Sequence, residues 1–118
     1  MDISSMIQKL RTHPEFHKAG MIASHLGVVR GTSRDGREVR EIEVSYDHDA
    51  LGHIIRDVKA LDGIVDVLVE TSQGRLKIGD EVMAVAIAGD IREHVFAALI
   101  EAVNRIKSEA SRKKEIFK

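Results

Sequence analysis

The sequence predicts an α+β fold, with helices packed on a mixed or antiparallel sheet, as one domain over residues 1–118. Three observations carry this. Apolar periodicity switches along the chain in the order helix, strand, strand, helix, strand, strand, helix. The run from Val82 to Ala88 is almost wholly apolar, as a central strand covered on both faces requires. The 118 residues, 43% of them hydrophobic, suffice for one core, and no internal repeat or low-complexity linker divides them.

The first element is a short helix. Ile3, Met6, Ile7 and Leu10 recur at helical spacing behind Ser4 and Ser5, and Pro14 interrupts the pattern. From Met21 to Val29 the composition is that of a strand, within which Gly27 marks a bulge or a close backbone approach. The turn-rich segment Gly31–Glu38 makes a hairpin-like loop. Ile42, Val44 and Tyr46 then alternate with Glu41, Glu43 and Ser45, the period of a strand with one wet face. Asp47 or Asp49 caps the second helix, whose buried stripe is Leu51, Ile54, Ile55, Val58 and Leu61, and Asp62-Gly63 ends it. Val65, Val67 and Val69 alternate in the next strand. Turn signals at Gly74 and at Gly79-Asp80 flank a short Leu76–Ile78 segment before the apolar strand. The last element is predicted as a long helix, capped by Asp90, with Val95, Phe96, Leu99, Ile100, Val103 and Ile106 as its apolar face and Arg112, Lys113 and Lys114 at its tail.

Composition excludes several function classes. Eighteen Lys plus Arg against nineteen Asp plus Glu leave a formal net charge of -1, so no global field holds a polyanion or an acidic membrane. With three Phe, one Tyr and no Trp there is no aromatic platform for stacking bases. No cysteine means no disulfide, thiolate zinc site or thiol nucleophile, so any sulfur chemistry needs sulfur brought by another molecule. The N-terminal residues lack a basic and apolar leader pattern, and no run approaches the roughly 20 apolar residues of a membrane span, which sets the expectation of a cytoplasmic protein. Among six histidines only His13 and His17 have the i,i+4 spacing to share a metal, and Pro14 disturbs the helix that spacing needs; no metal site is expected.

Basic character is local, and it gathers at the ends of the last helix. Arg92 stands at the head, where a cation opposes the macrodipole unless an anion, or a carboxylate such as Asp90 or Glu93, compensates it. Lys107 and the Arg112–Lys114 cluster stand at the tail, where cations suit the dipole and a merely solvated end is the plain alternative. Fifteen residues at 1.5 Å each separate Arg92 from Lys107 by about 22 Å. One small ligand touches both only if two subunits share the site, which a symmetric dimer allows. Arg30, at a strand end beside a glycine-containing loop, is suited either to bidentate phosphate binding or to a neighbouring carboxylate.

These residues fall into an ordered set. Gly27-Val28-Val29-Arg30 ends the first strand, Tyr46 follows the second, and Gly79-Asp80-Glu81 enters the central strand. Arg92 precedes Phe96 by four, Ile106 is followed by Lys107, and Lys113-Lys114-Glu115 comes shortly after. In this order and spacing the chain resembles the large, catalytic subunit of molybdopterin synthase over almost its whole length. The resemblance implies an α/β-hammerhead-like sandwich. It implies an enzyme, a sulfurtransferase of molybdenum cofactor biosynthesis, that converts cyclic pyranopterin monophosphate to molybdopterin. Sulfur would come from the thiocarboxylate at the Gly-Gly C-terminus of a small ubiquitin-like carrier subunit, and no resident cofactor or metal is implied.

By the same resemblance Lys107 is the main catalytic lysine and Lys114 the second, with Lys113 as the alternative or as a substrate contact. Arg30, and Arg92 from the opposite protomer, would bind the pterin phosphate. The partners implied are the carrier, the pterin and a second copy of the chain, in a homodimer with carriers at its outer ends, a heterotetramer, with no nucleic acid and no membrane. The chain departs from the family where a His usually precedes the helix-head Arg: Ile91 stands there. A family aromatic of the first strand is His25, and Ala110-Ser111-Arg112 replaces a Pro-aromatic-Trp segment. Two further readings stay open: a non-catalytic homologue that retains anion or carrier binding, and an unrelated small-ligand module of similar α+β pattern.

Overall fold

The structure is a computed structural model describing residues 1–118. Helix α1 (Ile3–Arg11) starts where the Asp2 carboxylate accepts from the Ser5 amide at 3.2 Å and the Ser5 hydroxyl at 2.8 Å. A 3₁₀ turn at Phe16–Lys18 leads to strand β1 (Met21–Val28), then β2 (Val39–Tyr46), helix α2 (His48–Lys59), β3 (Ile64–Thr71), β4 (Gly74–Lys77), β5 (Glu81–Gly89), helix α3 (Arg92–Arg105), a π turn (Ile106–Ala110) and strand β6 (Ser111–Phe117). No helix is long and apolar enough to cross a membrane.

Two three-stranded sheets result, ordered β1-β5-β3 and β4-β2-β6, and every pairing is antiparallel. The apolar run is indeed the central strand. Its alternate residues serve two cores: Met83, Val85 and Ile87 join the main cluster with residues of α2, α3 and β2, whereas Ala84, Ala86 and Ala88 pack under Met6 and Leu10 of α1. Small side chains on one face let the short helix lie close; large ones on the other fill the wider gap. The β1–β5 register slips between Gly27 and Val28, the irregularity that the mid-strand glycine signals. Asp47 is the residue that caps α2, accepting from the Ala50 amide at 3.1 Å, and Gly63 follows with φ 78°.

At Gly89, where β5 feeds α3, there is no room for a side chain. A Cβ would stand 2.6 Å from Val95 Cγ2 and 2.8 Å from the Gly63 carbonyl oxygen. Gly89→Ala is therefore expected to cost about 1–3 kcal/mol by overpacking, read as a lower urea midpoint at unchanged slope.

Three expectations about the C-terminal third are corrected. The helix does not run to Lys114: it ends at Arg105, passes through the π turn and gives way to β6, which pairs with β2. The buried stripe of α3 is Val95, Ala98, Ala102 and Ile106, while Phe96 and Ile100 are 50% and 62% exposed. Alanines at the sheet bring the helix close, and that approach rotates the larger apolar residues outward. Asp90 does not cap the helix through its side chain. The cap position is Ile91, and Asp90 Oδ1 instead accepts from the Ile91 amide at 2.6 Å and lies 2.8 Å from His94 Nδ1, which holds the Asp90 carboxyl below the usual carboxylate range.

Candidate functional site

The π turn is the pivot of the site. A π turn spends five residues per hydrogen-bonded step, and here the Ser111 amide reaches back to the Ile106 carbonyl. Arg105 clamps the turn from outside, with Nε donating to Glu109 Oε2 at 2.8 Å and Nη1 donating to Asp57 Oδ2 of α2 at 2.9 Å. The Asp47 amide bonds the Ala110 carbonyl at 2.8 Å. With Ile106 fully buried as the anchor, the next residue, Lys107, is delivered into a cleft of about 560 Å³ between the two sheets.

The cleft collects groups from distant parts of the chain. Arg30 enters from the end of β1, its Nε donating to the Thr32 carbonyl at 2.8 Å. That bond uses one guanidinium N–H and leaves the fork for an anion. Lys113 and Glu115 enter from β6, and Tyr46, Ile42 and Val44 from β2 make the apolar wall. The Tyr46 hydroxyl donates to the Val82 carbonyl of β5 at 3.2 Å, a tie across the two sheets, and burial pushes the phenol above its usual range.

The structure therefore brings together Arg30, Lys107 and Lys113, and sets Lys114 and Arg92 apart. Strand alternation separates the two lysines. Lys113 is opposite Val44, a cleft residue, and Lys114 is opposite Glu43, which bonds Arg75 on the other face of the sheet. Arg92 is 79% exposed and pairs with Glu93 at 3.4 Å, at the far end of α3 from Lys107. On the same side of the helix Phe96 and Ile100 are bare. His13 and His17 lie beyond the end of α1, so no helical turn brings them to one metal, and His13 Nδ1 accepts from the Glu15 amide at 3.0 Å.

Sequence reasoning left three cleft groups outside the site: His25, Arg34 and Glu115. Reading 111–117 as an alternating strand is the signal that selects Glu115 together with Lys113. His25 is, with Ser24, one of two polar residues in β1, and no spacing to another candidate residue marks it out.

Comparisons with known proteins give the family and the fold. The family model described as "MoaE protein" matches residues 1–109. A molybdopterin synthase catalytic subunit from Ralstonia nicotianae is 32% identical over 114 residues, covering 92% of this chain, and the chain spans 62% of that curated relative's length. A molybdopterin biosynthesis MoaE protein from Burkholderia ambifaria superposes with a TM-score of 0.79 at 27% identity, over 98% of this chain and 76% of the other. A complex of subunits 1 and 2 of molybdopterin-converting factor from Helicobacter pylori shares the fold, with a TM-score of 0.71 at 15% identity over 99% of this chain and 80% of that one.

Proposed function

The chain belongs to the MoaE protein family, and on that premise we propose that it is the catalytic subunit of a molybdopterin synthase. It converts cyclic pyranopterin monophosphate to molybdopterin, with sulfur taken from the C-terminal thiocarboxylate of a small carrier subunit. One observation carries the reading: Arg30, Lys107 and Lys113, far apart in sequence, line one cleft with an apolar wall. A phosphorylated heterocycle needs that combination, cations for its phosphate and a dry face for its rings. The absence of cysteine is consistent with sulfur delivered by a partner.

In this mechanism Arg30 and Lys113 hold the phosphate, and the Lys107 ammonium faces the reacting centre, where it stabilises developing negative charge and gives up a proton. Arg92 joins from a second copy, since the whole length of α3, about 20 Å at 1.5 Å per residue, lies between it and the π turn that carries Lys107 in its own chain. The bare Phe96 and Ile100 beside it supply an apolar surface for that copy. The Helicobacter relative, solved as a two-subunit complex, supports the carrier as partner.

The test supplies thiocarboxylated carrier and cyclic pyranopterin monophosphate and measures molybdopterin. Product is expected from the unmodified chain; tight binding of both without turnover moves the chain to the non-catalytic class, which the hydrophobic Ile91 at the head of α3 favours. Lys113→Ala is expected to raise KM for the pterin about tenfold, the loss of one charge-assisted contact, and Lys114→Ala to leave it within about twofold. Equal effects of the two substitutions would reject the assignment of the second lysine.

A further inference from the structure

His25 has no place in the mechanism above, yet it stands on the floor of the same cleft. It lies mid-strand in β1, opposite Val85 of the central strand, with its ring lining the cavity that Lys107 enters. Its Nε2 is buried and has no hydrogen-bond partner in the protein. Gly27, two residues on, has no side chain to cover it, and a Cβ there would stand 3.4 Å from that nitrogen. A buried imidazole nitrogen left unpaired is costly, so a ring kept here without a protein partner is suited to one supplied by the cleft's occupant.

The surroundings decide which way a proton moves. Charged groups face the cleft from four sides: Lys107 from the π turn, Arg30 and Arg34 from the end of β1 and the loop after it, and Lys113 and Glu115 from β6. The β5 neighbours Val82 and Met83 are apolar, and β2 contributes only the Tyr46 hydroxyl, already given to Val82. Burial, and then the Lys107 charge, hold His25 below its ordinary value of 6.5, so at neutral pH the ring is an uncharged acceptor beside a cation. Two groups with opposite protonation states at one point form an acid–base pair.

Resting on the functional reading above, we propose that His25 is a catalytic proton acceptor in the release of sulfur from the carrier, paired with Lys107 as the cationic donor. A thiocarboxylate that surrenders its sulfur must finish as a carboxylate, and the missing oxygen comes from water. The water attacks an acyl thioester, formed when the thiocarboxylate sulfur bonds a pterin carbon and that carbon's C–O bond breaks with its electron pair on oxygen. As the new acyl C–O bond forms, the water's O–H bond breaks and its proton passes to the imidazole. The acyl C–S bond then breaks with its electron pair on sulfur, which stays on the pterin as a thiolate beside the Lys107 ammonium, and the new carboxyl gives its proton to solvent.

The experiment pairs kinetics with a measurement independent of turnover. In the assay with thiocarboxylated carrier and pterin, His25→Gln is expected to lower kcat about 10²-fold with KM for the pterin unchanged, and to flatten the acid limb of the pH profile. His25→Phe, which keeps an aromatic ring, should lose the same rate while unfolding at the temperature of the unmodified chain. In the free protein, NMR titration of the His25 ring should have its midpoint below pH 6.5, moving upward in Lys107→Met. Full activity of both His25 variants overturns the proposal and leaves the functional reading standing. No product from the unmodified chain overturns both, and a titration that ignores Lys107→Met breaks the pair whatever the turnover.

Discussion

Lys107→Ala is expected to lower molybdopterin formation by about 10²–10⁴-fold, the range spanned by removing a positioned proton-transfer group, without loss of folded protein. The side chain is exposed in the cleft, so its truncation opens no core cavity. The fully buried residue before it carries the packing. Single-turnover measurement of molybdopterin with carrier and pterin both saturating isolates the chemical step, and thermal unfolding of the same sample reports the fold. A rate within tenfold of the unmodified chain would remove Lys107 from the chemistry. Lys107→Arg discriminates further, since a planar guanidinium keeps the charge but neither the compact shape nor the readiness to lose a proton.

The largest stability effect is expected at the neighbouring residue. Ile106→Ala removes a fully buried side chain from the joint between α3 and the π turn, in the main core cluster with Val44, Val85 and Ala102. Such truncations cost about 2–5 kcal/mol, the transfer term plus that of the cavity left behind. The site resists collapse because Arg105 and the Asp47–Ala110 bond fix the turn on both sides, which argues for the upper half of the range. Urea denaturation at unchanged slope is the measurement, and a loss below about 1 kcal/mol would mean that the turn relaxes into the space.

The two predictions concern adjacent residues whose roles were not equally legible. The buried central strand was plain, because seven nearly unbroken apolar residues admit few other structures at that length. The strand with one wet face and the capped second helix were legible for similar reasons of period and capping. Strand β6 was not. Its Arg112, Lys113, Lys114 and Glu115 are good helix formers that continue a helical segment, and only pairing with β2, a contact some seventy residues away in sequence, makes them a strand. Once that pairing is known, Lys113 separates from Lys114 by alternation alone. Phe96 and Ile100 misled in another way, because periodicity identifies an apolar stripe without saying whether the chain's own sheet or another surface covers it. Arg30 and Lys107 were found by residue type at element ends, whereas His25 was passed over because a single histidine in a strand has no spacing to advertise it.

The cleft lies along a seam between two sheets that share no hydrogen-bonded ladder. Its width is therefore governed by side-chain packing, the Tyr46–Val82 bond and the clamped turn, with strand pairing left out of the balance. Rotating one sheet on the other changes the spacing of Arg30 on one bank and Lys113 on the other while every ladder stays intact. The site thus has one soft mechanical coordinate, across the seam, and stiff ones along the strands, so a ligand that draws the two banks together works against packing alone.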